Sequence, residues 1–285
     1  MIEKEEVSKK LKFHLKDYFL TNEEFFIYEN QEFGFLETQP QPVETLFKYY
    51  ESKNYISHSD SNKTVFEKIY QFIKNYNIGY KFNQLKNPKS GDKILDYGCG
   101  AGDFLVYAKN KKLRVFGVEP NPAALEITRK KLGFDSATDL KIAELDEQFD
   151  FITLWHVLEH IPDLENFIPQ LKSKLKESGI LYIAVPNFES FDAKFYKKYW
   201  AAYDVPRHLW HFSPESFEKY FNSFGMKIEK RQALWFDSYY VSMLSEQYKK
   251  TPLGILRALI IASISNTMAV FTGNYSSVIY QITKT

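Results

Sequence analysis

The chain has 285 residues, and 37 Lys plus Arg stand against 36 Asp plus Glu, so a net charge of +1 gives no general electrostatic reason to bind nucleic acid. Its single cysteine, Cys99, excludes an intrachain disulfide and any cysteine-based zinc cluster. Residues 1–20 carry charges throughout and no apolar run, which speaks against a secretory leader and sets the expectation of a cytoplasmic protein.

Residues 1–42 read as an N-terminal extension. Segments 24–29 and 33–37 look like two short strands around the turn Asn30-Gln31-Glu32, and Pro40 and Pro42 stop the second. Residues 43–90 read as helical. Residues 43–50 form one short helix. Phe66, Ile69, Tyr70, Phe72, Ile73 and Tyr76 then recur at helix spacing along one face. The segment linking the two carries Tyr55 and His58 and is a candidate lid.

Residues 91–285 form the main domain. Ile94, Leu95 and Tyr97 read as a buried strand, Gly98, Gly100 and Gly102 follow at alternate positions, and residues 103–108 start a helix. Strand, glycine turn and helix make the first half of a nucleotide-binding βαβ unit. Glycine lets the backbone turn tightly and a ligand approach, and the helix start offers free N–H groups. A dinucleotide fingerprint needs its third glycine at position 103, which is Asp103. Asp96, two residues before the first glycine, would repel a pyrophosphate but suits a cationic amino-acid tail. A second strand, 113–118, ends in Glu119, an acid placed to accept both hydroxyls of a ribose. The combination asks for adenosine joined to an amino acid, which is S-adenosylmethionine (SAM).

Asn121 caps a helix with Pro122 in its first turn. A third strand is expected near residues 140–142, with Asp139 beside it, and a fourth over 149–154. Trp155-His156-Val157-Leu158-Glu159-His160 follows, placing His156, Glu159 and His160 on one helix face. Strands at 179–185, 226–234 and 277–282 complete the count. Residues 188–212 read as a cap rich in aromatics, and 239–275 as an insertion. The apolar part of that insertion is too short and interrupted for a membrane span. It would cover the core, join a homodimer or lie on a membrane surface, with the first two preferred.

The motif at 96–102, the acid Glu119 and the run 155–160 together resemble the class I SAM-dependent methyltransferases. The resemblance implies an α/β fold: a Rossmann-like, seven-stranded, mostly parallel sheet with helices on both faces and the last strand antiparallel. It implies that Asp96, Gly98, Gly100 and Gly102 hold the methionine part and Glu119 the ribose, with Asp139 facing the adenine. Trp155 would wall the adenine or face the sulfonium, a core tryptophan being the alternative. His156 belongs to the cofactor side. Helices before the first strand often cover the SAM site in this family, so Tyr55 and His58 are assigned to the acceptor.

Leu154-Trp155-His156-Val157 replaces the Pro-Pro-aromatic motif of methyltransferases acting on DNA-base amines. Glu159 and His160 instead resemble residues that help bind a divalent metal in quinone-biosynthesis O-methyltransferases and a small-RNA methyltransferase. With His208, they leave three readings open: a metal site, an acid–base pair, or an anchor for the helix. No metal ligand is assigned; His160 and His208 take the catalytic role. Arg207 and His211 are assigned to the acceptor, with a plain salt bridge as the alternative for Arg207. The N-terminal hairpin is similar to the second half of a zinc ribbon found in some relatives, without its cysteines. The expected activity is methyl transfer to the oxygen or carbon of a quinone, lipid or sugar-like small molecule. A SAM-binding partner or regulatory module without turnover is the alternative; Asp103 speaks against a nicotinamide enzyme.

Overall fold

A computed structural model of the chain describes residues 9–50 and 65–285, with side chains over 10–50 and 73–285. Its elements run β1 (Lys9–Lys16), β2 (Glu24–Asn30), β3 (Leu36–Gln39), α1 (Val65–Asn83), β4 (Lys93–Tyr97), α2 (Asp103–Asn110), β5 (Arg114–Val118), α3 (Pro122–Leu132) and β6 (Ala137–Thr138). Then follow β7 (Phe149–Trp155), α4 (Leu164–Lys174), β8 (Leu175–Pro186), α5 (Phe191–Tyr196), β9 (Trp210–His211), α6 (Pro214–Ser223), β10 (Met226–Ala233), α7 (Asp237–Lys249), α8 (Gly254–Thr272) and β11 (Ser277–Lys284).

Seven strands form the main sheet in the order β10-β11-β8-β7-β4-β5-β6. β4 pairs in parallel with β5 and β7, β5 with β6, and β7 with β8. β11 runs antiparallel to both β8 and β10. The central strands are apolar on both faces because helices cover both. Leu95, Ile152, Leu181 and Ile183 pack into one core, while Ile94, Phe151, Tyr182 and Ala184 point the other way into a second. The strand order reverses at β4, so the carboxyl ends of β4, β5 and β7 open onto the crevice where such sheets bind ligands.

The extension is a four-stranded antiparallel sheet, β1-β2-β3-β9, rather than a hairpin. β1 escaped the sequence reading although Leu11, Phe13 and Leu15 alternate with polar residues. Its fourth strand comes from the cap, with Leu36 opposite His211 and Glu37 opposite Trp210. Leu15, Phe25, Ile27 and Leu36 bury their side chains with Tyr196, Trp200 and Tyr203, which is where much of the aromatic excess resides.

Three boundaries change. β3 starts at Leu36, because Asn30 caps the turn by accepting from the N–H groups of Glu32 and Phe33. Residues 43–50 are a 3-10 rather than an α-helix. The third strand is β6, which begins three residues before the expected 140–142; Ile142–Glu144 is a 3-10 turn in which the Glu144 carboxylate accepts from Lys141 N–H. The insertion is a helical hairpin, α7 packed along α8. The lid segment, with Tyr55 and His58, lies outside the described residues.

Candidate functional site

The glycine loop leaves β4 with backbone that only glycine tolerates freely. Gly98 and Cys99 donate their N–H groups to the Val118 carbonyl, 2.7 and 3.0 Å away, which turns the chain back over β5. Gly98 has φ +76°, and a Cβ there would stand 2.5 Å from Val157 Cγ2. Gly100 has φ +54°, but a Cβ there would meet nothing within 4 Å. The loop is therefore closed against protein at Gly98 and open to a ligand at Gly100.

Asp96 is 2% exposed, and its Oδ1 accepts from Thr153 Oγ1 on the neighbouring strand at 2.6 Å. Burial pushes its carboxyl up to about 7, against the Thr153 hydrogen bond and the charge of Lys81. Glu119 accepts from the N–H groups of Gly100 at 2.7 Å and Asn121 at 2.9 Å. It therefore binds the loop on one side and the start of α3 on the other. Asp139 is exposed just beyond β6, in a cleft of about 440 Å³ lined also by Pro120, Pro122, Leu125 and Phe134.

Trp155 ends β7 with its ring edge-on to Phe104, centroids 5.3 Å apart, and its buried Nε1 has no hydrogen-bond partner among the described residues. Lys81, from the last turn of α1, stands 5.0 Å over the same ring. Burial lowers the Lys81 pKa, opposed by the charges of Asp237 and Asp96. Neither Lys81 nor Asp237 carries a sequence signal; α1 and α7 bring them to the rim from opposite ends of the chain.

The shared helix face expected for His156, Glu159 and His160 does not form. His156 has φ +58°, a left-handed conformation costly for a residue with a Cβ, and only Leu158–His160 coils, as a 3-10 turn. Strain of this kind persists where surrounding contacts fix it. His156 Nε2 lies 2.9 Å from Asp237 Oδ2 and Nδ1 lies 3.3 Å from Glu159 Oε1. Burial alone would lower the His156 pKa, but Asp237 and then Glu159 raise it to about 9, so the imidazole is charged at neutral pH. Its two nitrogens are spent on carboxylates rather than turned to the cofactor.

Glu159 is fully buried, and its other oxygen, Oε2, has no partner among the described residues. Burial would raise its pKa; the His156 hydrogen bond and charge hold it below the usual range. His160 Nδ1 lies 2.9 Å from the Arg207 carbonyl and 2.9 Å from Tyr50 Oη, and His208 Nδ1 lies 2.8 Å from the Ala202 carbonyl. A carbonyl only accepts, so each Nδ1 carries a proton, which leaves Nε2 as the ring atom available to a ligand. One ligand atom from each of Glu159, His160 and His208 falls within 4.8 Å of the others. Burial and then the neighbouring His208 push the His160 pKa down to about 4, so that ring is neutral at neutral pH.

Arg207 and His211 are not at the site. Arg207 is 1% exposed, and its guanidinium binds Asp204 at 2.6 and 2.9 Å, Asp17 at 2.8 Å and the Tyr49 carbonyl at 3.2 Å. Its donors are spent on Asp204 within the cap, on Asp17 just after β1 and on the Tyr49 carbonyl, so the salt-bridge alternative holds and the acceptor role falls. His211 is buried in β9, 3.0 Å from Thr38 Oγ1, and burial pushes its pKa down to about 3.

A family model described as a methyltransferase domain matches residues 72–231. The ubiquinone biosynthesis O-methyltransferase of Rhodopseudomonas palustris (strain BisB5) is 27% identical over 177 residues, 57% of this chain and 67% of that protein. Two further relatives of that name are spanned over 63% and 50% of their length. Among solved structures, a magnesium protoporphyrin IX methyltransferase from Synechocystis PCC 6803 with bound SAH superposes with a TM-score of 0.52 at 14% identity, covering 84% of this chain and 97% of that one. A geranyl diphosphate C-methyltransferase from Streptomyces coelicolor A3(2) gives 0.55 at 12% identity, covering 86% and 98%. At these identities the structures speak to the fold alone.

Proposed function

The chain belongs to the class I SAM-dependent methyltransferases, and on that premise we propose that it methylates a hydroxyl of a small molecule beside Glu159, His160 and His208, where a divalent cation binds. SAM is the methyl donor of the family. In our reading Asp96 takes the methionine ammonium, Lys81 its carboxylate, the open backbone at Gly100 the tail, and Glu119 the ribose. Asp139 and the cleft beside Pro120 take the adenine edge.

Methyl transfer is a displacement at carbon. The acceptor oxygen forms the new C–O bond as the C–S bond breaks, S-adenosylhomocysteine leaves, and the hydroxyl proton goes to solvent. What the protein supplies is alignment and exclusion of water. Phe104, Trp155 and Tyr50 provide the apolar walls. His156 is charged and is no base; with Asp237 and Glu159 it makes a triad of net charge −1 that favours a neighbouring cation. Bound at Glu159, His160 and His208, a divalent ion would lower the pKa of the acceptor hydroxyl. The observation that carries this reading is Glu159 Oε2, without a partner among the described residues, beside two histidines whose Nδ1 protons are committed to backbone carbonyls. Metal-binding histidines are held in the same way. The names of the relatives point to ring hydroxyls of quinone precursors as the acceptors to try first.

The test is turnover with labelled SAM against a panel of hydroxylated aromatics, with EDTA or with Mg²⁺, Mn²⁺ or Zn²⁺, for wild type and Glu159→Gln. Expected are metal-dependent turnover, a loss of at least about a hundredfold in the variant, and SAM affinity within about twofold of wild type. Full activity in EDTA would refute the cation. SAM binding without turnover on any acceptor would favour the non-catalytic module instead.

A further inference from the structure

Helix α8 is built inside out. The face it turns to the fold is mostly small: Ala258, Ala262, Ser265 and Ala269 are buried there, with Ile261 the one large side chain among them. The face it turns outward is large and apolar: Phe271 is 85% exposed, Leu253 79% and Ile255 72%, with Leu256, Leu259 and Ile260 beside them. From Ile255 to Phe271 the exposed apolar positions spread over an arc of about 220° at 100° per residue. A partner helix covers a stripe of roughly 100°. The arc therefore suits a medium that wraps the helix better than one packed neighbour.

Two further observations point to the same medium. Hydroxyls exposed on α8 spend their protons on the helix's own backbone: Ser263 Oγ donates to the Leu259 carbonyl at 2.8 Å, Thr267 Oγ1 to the Ser263 carbonyl at 2.8 Å and Thr272 Oγ1 to the Met268 carbonyl at 3.1 Å. Residues 247–275 contain no Asp or Glu. At the amino end of α8 the charges gather as a basic collar. Lys249 lies about 6 Å over the rings of Phe195, Tyr196 and Tyr199. Lys250, Lys197 and Lys198 are exposed nearby. Lys194 also belongs to this group but is paired with Glu189. Arg257 is drawn inward to the buried Glu246 at 3.2 Å.

We propose that α8 docks this protein on an anionic lipid bilayer, lying in the plane of the interface with its outer face among the acyl chains and the collar at the headgroups. Contrary to the sequence expectation, α8 is a continuous helix of 19 residues, long and apolar enough by length and composition to cross a membrane. It lies along α7 instead, with its small face sealed by the fold, so it rests on the surface. Its far end adjoins the rim of the crevice, where Asn266 Nδ2 donates to the Trp235 carbonyl two residues before Asp237. Docking would thus bring the crevice to the bilayer surface, whatever the acceptor.

The test is co-sedimentation of the purified full chain with vesicles of phosphatidylcholine alone and with added phosphatidylglycerol, alongside light scattering for the oligomeric state. SAM binding and circular dichroism report the fold of each variant. Wild type should bind the anionic vesicles. Leu256→Glu/Ile260→Glu should lower the partition coefficient at least tenfold, and Lys249→Ala/Lys250→Ala by roughly twenty-five-fold, since each lysine near such a surface contributes about a factor of five. Absence of vesicle binding would overturn the proposal, as would equal binding to neutral vesicles. A dimer that Leu256→Glu/Ile260→Glu converts to monomer would overturn it too, by making a second copy the occupant.

Discussion

Alanine at Gly100 and alanine at Gly98 should have opposite consequences, although the two glycines are one residue apart. Both have positive φ, and a Cβ in that region costs about 1–2 kcal/mol. At Gly100 this is the whole cost, because the added methyl meets no atom within 4 Å. The variant should fold with a loss of about 1–2 kcal/mol, yet its methyl would stand in the space given to the methionine part, and SAM affinity should fall at least tenfold. At Gly98 the methyl meets Val157 Cγ2 at 2.5 Å and Cγ1 at 3.1 Å, and both belong to one stiff β-branched side chain. Overpacking adds about 1–3 kcal/mol, for a total loss of roughly 2–5 kcal/mol. Denaturant unfolding measures the two stabilities, and calorimetric titration measures SAM binding. Val157→Ala should restore part of the stability lost in Gly98→Ala and none of the affinity lost in Gly100→Ala. Wild-type SAM binding by Gly100→Ala would refute the placement of the ligand. Failure of Val157→Ala to help Gly98→Ala would refute the clash.

Arg207→Leu leaves Asp17 buried beside Asp204 without its cation and should cost about 3–5 kcal/mol in urea unfolding; a loss below about 1 kcal/mol would mean that the pair is exposed in solution. Asp96 has to be ionised to hold an ammonium, so SAM affinity should fall as pH drops below about 7, by up to about tenfold per unit. In Asp96→Asn binding should be weak and lack that pH dependence, which titrations across pH would check. His156 has a folded pKa raised to about 9, above its unfolded value. The stability it contributes is complete below about 6.5 and is lost as pH rises through about 9. Thermal unfolding of wild type should decline over that range, and His156→Gln should flatten the decline.

The glycine loop and the two acids beside it were legible as local structure because they are close in the chain. Asp96 to Gly102 is one loop, and Glu119 ends the next strand, so a local pattern fixes their relation. The run after β7 was legible as reactive residues but not as geometry. The left-handed turn at His156 depends on Asp237, more than eighty residues later, and no local spacing foretells it. Arg207 shows the converse. An arginine among histidines and aromatics reads as an anion binder or a salt-bridge partner, and only the arrival of Asp17, just after β1, makes it a buried strut. His211 was misassigned for the same reason, since β9 needs β3 to become a strand. Third-strand register also failed, because two residues of β structure leave almost no periodicity to read.

By itself, the sequence determined the order of strands and helices in the main domain, the SAM-type glycine loop with its two acids, and the exclusion of an intrachain disulfide or a cysteine-based zinc cluster. Those follow from short-range rules: alternation along a strand, backbone freedom at glycine, caps at helix starts. Tertiary structure alone decided the four-stranded sheet shared by the extension and the cap, the Glu159–His160–His208 cluster, and the outward apolar face of α8. Each of these brings together residues distant in the chain or sets which side of a helix meets the core. Such choices depend on the summed burial of many residues, which no single stretch of sequence contains.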